Sequence, residues 1–202
     1  YHKKSEPNLI NYLDLVALGT VCDVVELKGL NRAIVKQGLK VLNNTRNSGL
    51  TSLIESSGIL KEIDEYHLGY ILGPRINAGG RVGKSDKGVE LLLTKNKSQA
   101  MILANQLSEL NLERQKIERK VEESAISKIN LKEKILCVNS YGWHEGVIGI
   151  VAGKLVDKFM RPSIVISEGD DICKGSARSF GDFDIGYLIS QLKYARYKGV
   201  LM

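Results

Sequence analysis

Residues 134–179 read KILCVNSYGWHEGVIGIVAGKLVDKFMRPSIVISEGDDICKGSARS, and the changes of apolar rhythm along them decide the fold. KILCVNS (134–140) is an apolar, partly β-branched run of strand length. GVIGIVAGKLVDKF (146–159) combines small residues with helical spacing, which predicts a helix able to lie close on a sheet. PSIVIS (162–167) and DICKGSARS (171–179) read as two further strands, and Asp184 is placed to cap a last helix, DIGYLISQL (184–192). Strand, helix, strand, strand, helix is the alternation of an α/β sheet domain.

Upstream of this region the rhythm is helical. From Ser98 to Ile129 there is neither glycine nor proline, and apolar side chains recur at Ala100, Leu103, Ala104, Leu107, Leu110, Ile117, Val121, Ala125 and Ile129. One long helix is expected, strongly charged in its second half. It suits a coiled-coil arm or a rigid connector. The change of composition after it favours a connector, which at ~1.5 Å per residue would span about 45 Å. Asn31–Leu42, Leu50–Ser56, Tyr66–Leu72 and Asp86–Leu93 also read as helices, the last with Asp86 as N-cap. NLINYLDLVALGTVCDVVELKG (8–29) begins as a helix through Leu18, after which Gly19, Thr20 and the valines favour extended structure around Asp23. The expected organisation is 1–94, a connecting helix at 95–131, and a sheet domain at 132–202, with no internal repeat.

At 202 residues, 43% hydrophobic and 26% charged, the chain has ordinary globular composition and enough apolar side chain for a core. No apolar run approaches the roughly 20 residues of a membrane span, so no membrane partner is expected. Cys22, Cys137 and Cys173 lack paired zinc-type spacing and read as reduced thiols of a cytoplasmic protein. A net charge of +6 favours a polyanionic partner, although a lysine-rich coding bias gives the same balance. The chain opens on Tyr1 and reads as a piece of something longer.

Four stretches combine glycine with polar groups. In GTVCDVV (19–25), Asp23 sits in an apolar run that should be buried, where a carboxylate is costly unless paired or bound to a metal. It is either a satisfied structural aspartate or a ligand for a hard cation, Mg²⁺ or Mn²⁺. LGPRINAGGR (72–81) reads as a pliable loop. Its Arg75 and Arg81 offer guanidinium forks that match phosphate, and Gly79 and Gly80 allow close backbone approach. A surface turn with solvated arginines has the same composition. Trp143 and His144 precede a helix start, a position suited to anion contact or to packing alone. In GSARS (175–179), Ser176, Arg178 and Ser179 follow a flexible glycine and form a small phosphate cradle.

YLDLVALGTVCDVVEL (12–27), LGPRINAGGR, WHEGVIGIVAGKL (143–155) and GSARS together resemble, in order and spacing, the RecJ family of bacterial single-stranded-DNA exonucleases in the DHH phosphoesterase superfamily. The resemblance runs along the chain as far as the last dozen residues, and LGPRINAGGR separates it from the superfamily's small-molecule phosphodiesterases. It implies the C-terminal part of a DHH domain, joined by the long helix to an incomplete DHHA1-type α/β domain. It also implies a parent enzyme that uses Mn²⁺ or Mg²⁺ to cut nucleotides from the 5′ end of single-stranded DNA in repair and recombination, alongside other DNA-repair proteins. By the same resemblance Asp23 is the last of the family's metal-ligating aspartates. Arg75, Asn77 and Arg81 line the DNA path, His144 belongs to the nucleic-acid surface, and Ser176 and Arg178 meet the terminal phosphate.

The departures matter equally. The family's Asp-His-His motif is absent from this sequence, whose histidines are His2, His67 and His144, and KYARYKGVLM (193–202) does not match the closing glycine-glycine-histidine motif. Cys22 and Gly79 stand where alanine is usual. One ligand cannot hold two ions, so the chain alone is expected to be inactive as a nuclease. The rival expectation is a nonenzymatic single-strand-binding piece or a decayed relic.

Overall fold

The computed structural model describes residues 8–83 and 86–191. The expectations for His2, for KYARYKGVLM and for the last residue of DIGYLISQL lie outside the described residues. The chain forms two compact units, residues 1–112 and 113–202.

The first unit is helical. A 3-10 turn (Leu9–Tyr12) leads into α1 (Leu13–Cys22), followed by α2 (Gly29–Leu42) and α3 (Ser48–Ser57). A π-helical stretch (His67–Leu72) then runs directly into α4 (Gly73–Val82), and α5 (Lys87–Leu93) follows. Leu18, Leu42, Leu50, Leu53, Leu68, Leu72 and Leu91 form the core, closed by Ala100, Leu103, Ala104 and Leu107 from the first half of α6 (Lys97–Ser127). Each fully buried leucine contributes about 1.5–3 kcal/mol of transfer free energy, which gives a bundle of short helices its stability. Local caps fix their ends: Asn47 Oδ1 accepts from Leu50 N at 3.0 Å at the start of α3, and Gly58 ends that helix with φ 72°.

Two expectations fail here. Helix α1 does not stop at Leu18 but continues to Cys22, because Val21 and Cys22 pack against the core and override the preference of valine for strands. LGPRINAGGR is not a loop; it forms the join of the π-helical stretch and α4. Pro74 sits in the first turn of α4, where a missing N–H costs no helical bond. Gly73 is buried where a Cβ would collide with Cys22 Sγ and stand 2.9 Å from the Leu68 carbonyl. Glycine serves close packing at this position, not pliability.

The second unit carries the sheet. Strands β1 (Leu136–Tyr141), β2 (Ser163–Glu168) and β3 (Lys174–Arg178) lie in that order, β1 parallel to β2 and β2 antiparallel to β3. Helix α7 (Glu145–Phe159) makes the crossover between the parallel pair, and α8 (Ile185–Ser190) follows β3, capped by Asp184 Oδ1 on Tyr187 N at 2.9 Å. Both match the expected order of elements. Val147, Ile148, Val151, Ala152 and Leu155 of α7 meet Leu136, Val138 and Val165 of the sheet, with Val121 and Ala125 from the second half of α6. Lys154 of α7 bonds Glu118 Oε1 at 2.5 Å and Glu122 Oε2 at 2.8 Å, and Glu118 also pairs with Arg114.

The division between the units falls within α6, so the expected connector is not a bare rod. Each half of its apolar stripe is covered within its own unit, which leaves no exposed seam for a coiled coil.

Candidate nucleic-acid interface

In the first unit, Asp23 is the C-cap of α1 and is exposed, against the expectation of burial. The chain turns outward immediately after it. Val24 adopts φ 55°, and Val25 N bonds Thr20 O at 3.1 Å in the six-to-one closure of a helix end. A valine in the left-handed region is strained, and it presents the preceding carboxylate to solvent. The buried carboxylate of this segment is Asp14, which accepts from Thr45 Oγ1 at 2.6 Å and from Leu15 N at 2.7 Å, so the structural role weighed for Asp23 belongs to Asp14.

Cys22 Sγ lies 3.6 Å from the Leu68 carbonyl, which places this end of α1 beside the start of α4. Burial pushes the Cys22 thiol up to about 11. Arg75, near the start of α4, is half-buried. Its Nη1 donates to Ile71 O at 2.7 Å, its Nε is buried without a partner, and burial holds its guanidinium below the ordinary value. Asn77 and Arg81 are exposed on one face of α4, four residues apart. The same helical segment carries an unforeseen feature, Tyr66 stacked on Tyr70 with centroids 5.0 Å apart and both rings exposed. Two tyrosines four residues apart were the available signal.

Among the described residues no group of three or more His, Cys, Asp or Glu side chains converges. Asp23 offers one carboxylate where a hard cation takes six or more oxygens, so this chain's described residues do not by themselves form the metal site.

In the second unit the register of the sheet builds a surface. Strand alternation puts Lys174, Ser176 and Arg178 on one face of β3. Their cross-strand rows are Ser140, Ser167, Lys174; Val138, Val165, Ser176; and Leu136, Ser163, Arg178. Ser163 Oγ donates to Ala152 O at 2.6 Å and Ser167 Oγ donates to Trp143 O, which identifies this face as the one that α7 covers. Along the middle row the valines of β1 and β2 give way to a serine on β3, and β3 presents only polar side chains to this face.

The donors lie against the first half of α7. A Cβ at Gly149 would stand 3.1 Å from Ser176 Oγ and 3.4 Å from Arg178 Nη2. Arg178 Nη1 donates to Ala177 O at 2.9 Å. His144 is the N-cap of α7, its Nδ1 accepting from Gly146 N at 3.0 Å, which leaves Nε2 as the ring nitrogen not engaged in capping. Ser179 is structural, its Oγ accepting from Ile185 N at 3.1 Å. Lys174 and Glu145, which pair with each other, were not anticipated; the period-two spacing of Lys174, Ser176 and Arg178 was the signal that could have added the lysine.

Residues 125–198 match the DHHA1 domain family. The chain is 42% identical over 187 residues to the single-stranded-DNA-specific exonuclease RecJ of Bacillus subtilis (strain 168), covering 90% of this chain and 24% of that protein. The crystal structure of RecJ in complex with Mg²⁺ from Thermus thermophilus matches with TM-score 0.84 and 32% identity, over 91% of this chain and 29% of that one. The Mn²⁺ complex from the same source matches with TM-score 0.81 and 33% identity, over 87% and 26%. The chain spans about a quarter of the length of each of these relatives.

Proposed function

We propose, from the premise that this chain belongs to the RecJ family and includes a DHHA1 domain, that it is the strand-holding part of a 5′-to-3′ single-stranded-DNA exonuclease. Residues 1–94 are the end of the DHH domain, 95–131 the joining helix, and 132–202 the DHHA1 domain. The complete protein uses Mn²⁺ or Mg²⁺ and acts in the cytoplasm with other repair proteins; the bound ions named for the Thermus structures support the metal.

The observation that carries this reading is the row of donors on β3. A strand's 5′ phosphate is a dianion, and an arginine fork beside a serine hydroxyl gives it charge-assisted bonds in a groove that Gly149 keeps open. Gly149 and the covering helix exclude water from one side of those bonds, which orients the strand end. In the first unit, the exposed Asn77 and Arg81 meet internal phosphates, the half-buried Arg75 adds its charge beside them, and Tyr66 and Tyr70 offer ring faces on which bases stack. Asp23 supplies one carboxylate to a metal site completed by residues outside this chain.

Arg178→Ala tests the end reading. It should weaken binding of 5′-phosphorylated single-stranded DNA about ten- to a hundredfold, the worth of a charged hydrogen bond, and change a 5′-hydroxyl strand far less. Arg75→Ala should weaken both strands alike. Equal losses on both strands for Arg178→Ala would make GSARS a general backbone contact.

A second reading, that the chain alone binds without cutting, is favoured by the lack of a converging ligand group among the described residues. Nucleotide release from single-stranded DNA by the purified chain with Mn²⁺ refutes it.

A further inference from the structure

The third member of the β3 row is already occupied. Lys174 Nζ is ion-paired with Glu145 Oε2, from the first turn of α7. The row that holds Lys174 also holds Ser167, whose hydroxyl bonds the carbonyl of Trp143, so this end of the sheet face lies beside the helix start that carries His144 and Glu145. A carboxylate thus pairs with the lysine that shares this face of β3 with Ser176 and Arg178.

We propose that Lys174 is a third contact to the phosphorylated end of the strand, and that Glu145 is the resident anion that holds it until a ligand with more than one negative charge takes the lysine from it. The proposal rests on the reading of Ser176 and Arg178 as contacts to the strand's phosphate. A terminal phosphate monoester carries about −1.5 to −2 at pH 7. An internal phosphodiester carries a single charge, the same as the carboxylate it would displace, so the exchange gains nothing. Glu145 and Lys174 side chains are 57% and 60% exposed, so the displaced carboxylate can swing into water, where screening weakens its repulsion of the incoming dianion. Lys174 is therefore available to a phosphorylated end and withheld from other strands, and Glu145 is the residue that withholds it.

The test is equilibrium binding of two single-stranded oligonucleotides of one sequence, one with a 5′ phosphate and one with a 5′ hydroxyl, to the full chain and its variants. Glu145→Gln should tighten the phosphorylated strand about two- to fivefold, the worth of the exposed ion pair it no longer has to break, and the hydroxyl-ended strand by no more than that. Glu145→Asp, which keeps the resident charge, should stay near the original affinities. Lys174→Gln should weaken the phosphorylated strand and remove the effect of Glu145→Gln in the double variant. Equal losses on both strands for Lys174→Gln, or an effect of Glu145→Gln that survives Lys174→Gln, overturns the proposal. Arg178→Ala in the same assay separates the two ideas. If it penalises both strands equally, the end reading fails; if it discriminates while Lys174→Gln weakens both strands alike, only the role of Lys174 fails.

Discussion

Gly73 and Gly149 both lie in helices that approach another element closely, but they approach different kinds of atom. At Gly73 the missing Cβ makes room for Cys22 Sγ and a main-chain carbonyl, parts of a core that cannot move aside. At Gly149 the nearest groups are a serine hydroxyl and the end of an arginine, which can. Glycine in α4 is there for the fold, whereas glycine in α7 leaves space at a surface where donors gather. The contrast extends to the polar residues. Asp14 is buried and bonded, and Asp23, nine positions on, is exposed at a strained turn.

The largest expected effect separates those two aspartates. In the complete enzyme Asp23→Ala should abolish turnover and leave the melting temperature nearly unchanged. Asp14→Ala should leave Thr45 without its acceptor and cost about 1–3 kcal/mol of stability. An activity assay beside a melting curve reads both. If Asp23→Ala keeps its activity, that assignment is wrong.

The glycines come next. Gly73→Ala should destabilise the chain by about 3 kcal/mol through overpacking against backbone. Gly149→Ala should cost under about 1 kcal/mol, because flexible tips can give way, yet weaken binding of a phosphorylated strand. Chemical denaturation of the two variants decides; equal destabilisation would erase the distinction drawn between them.

A smaller effect belongs to Val24. Its left-handed backbone costs about 1–2 kcal/mol, and glycine loses roughly 0.5–1 kcal/mol in chain entropy, so Val24→Gly should stabilise by about 0.5–1 kcal/mol. The smallest at neutral pH concerns the Cys22 thiol, pushed up by burial from 9.0 to about 11. The unfolded chain ionises this thiol first, so its contribution is intact below about pH 9 and is lost as pH rises towards about 11. Denaturation followed across that range should show the decline, and alkylation should mark the exposed Cys137 and Cys173 before Cys22.

The second unit was legible in the sequence because each element has one clean period and its turns are marked, so the succession of strands and helices, α7 and the Asp184 cap all emerged from local pattern. The donors Ser176 and Arg178 emerged with them. The first unit was less legible because packing there overrides local preference. Val21 and Cys22 are drawn into a helix by the core, and the proline and glycines of LGPRINAGGR look like a loop until the nearby cysteine is known. Asp23 looked buried because its neighbours are apolar. The left-handed turn at Val24, which exposes it, has no glycine to announce it. Lys174 was passed over because its partner lies 29 positions away, on another element.

The order in which α6 is used has a consequence for synthesis. The buried residues of the first core run from Ala17 to Leu107 and those of the second from Val121 to Val165, with no interleaving. A chain leaving the ribosome can therefore complete the first core before any strand of the sheet exists, in keeping with the sequential folding of domains during translation. Once Ala100 to Leu107 are packed, the unfavourable first turn of α6 is already formed, and the helix only has to lengthen. Val121 and Ala125 then emerge on a helix that is already started, as a template for the strands still to be made.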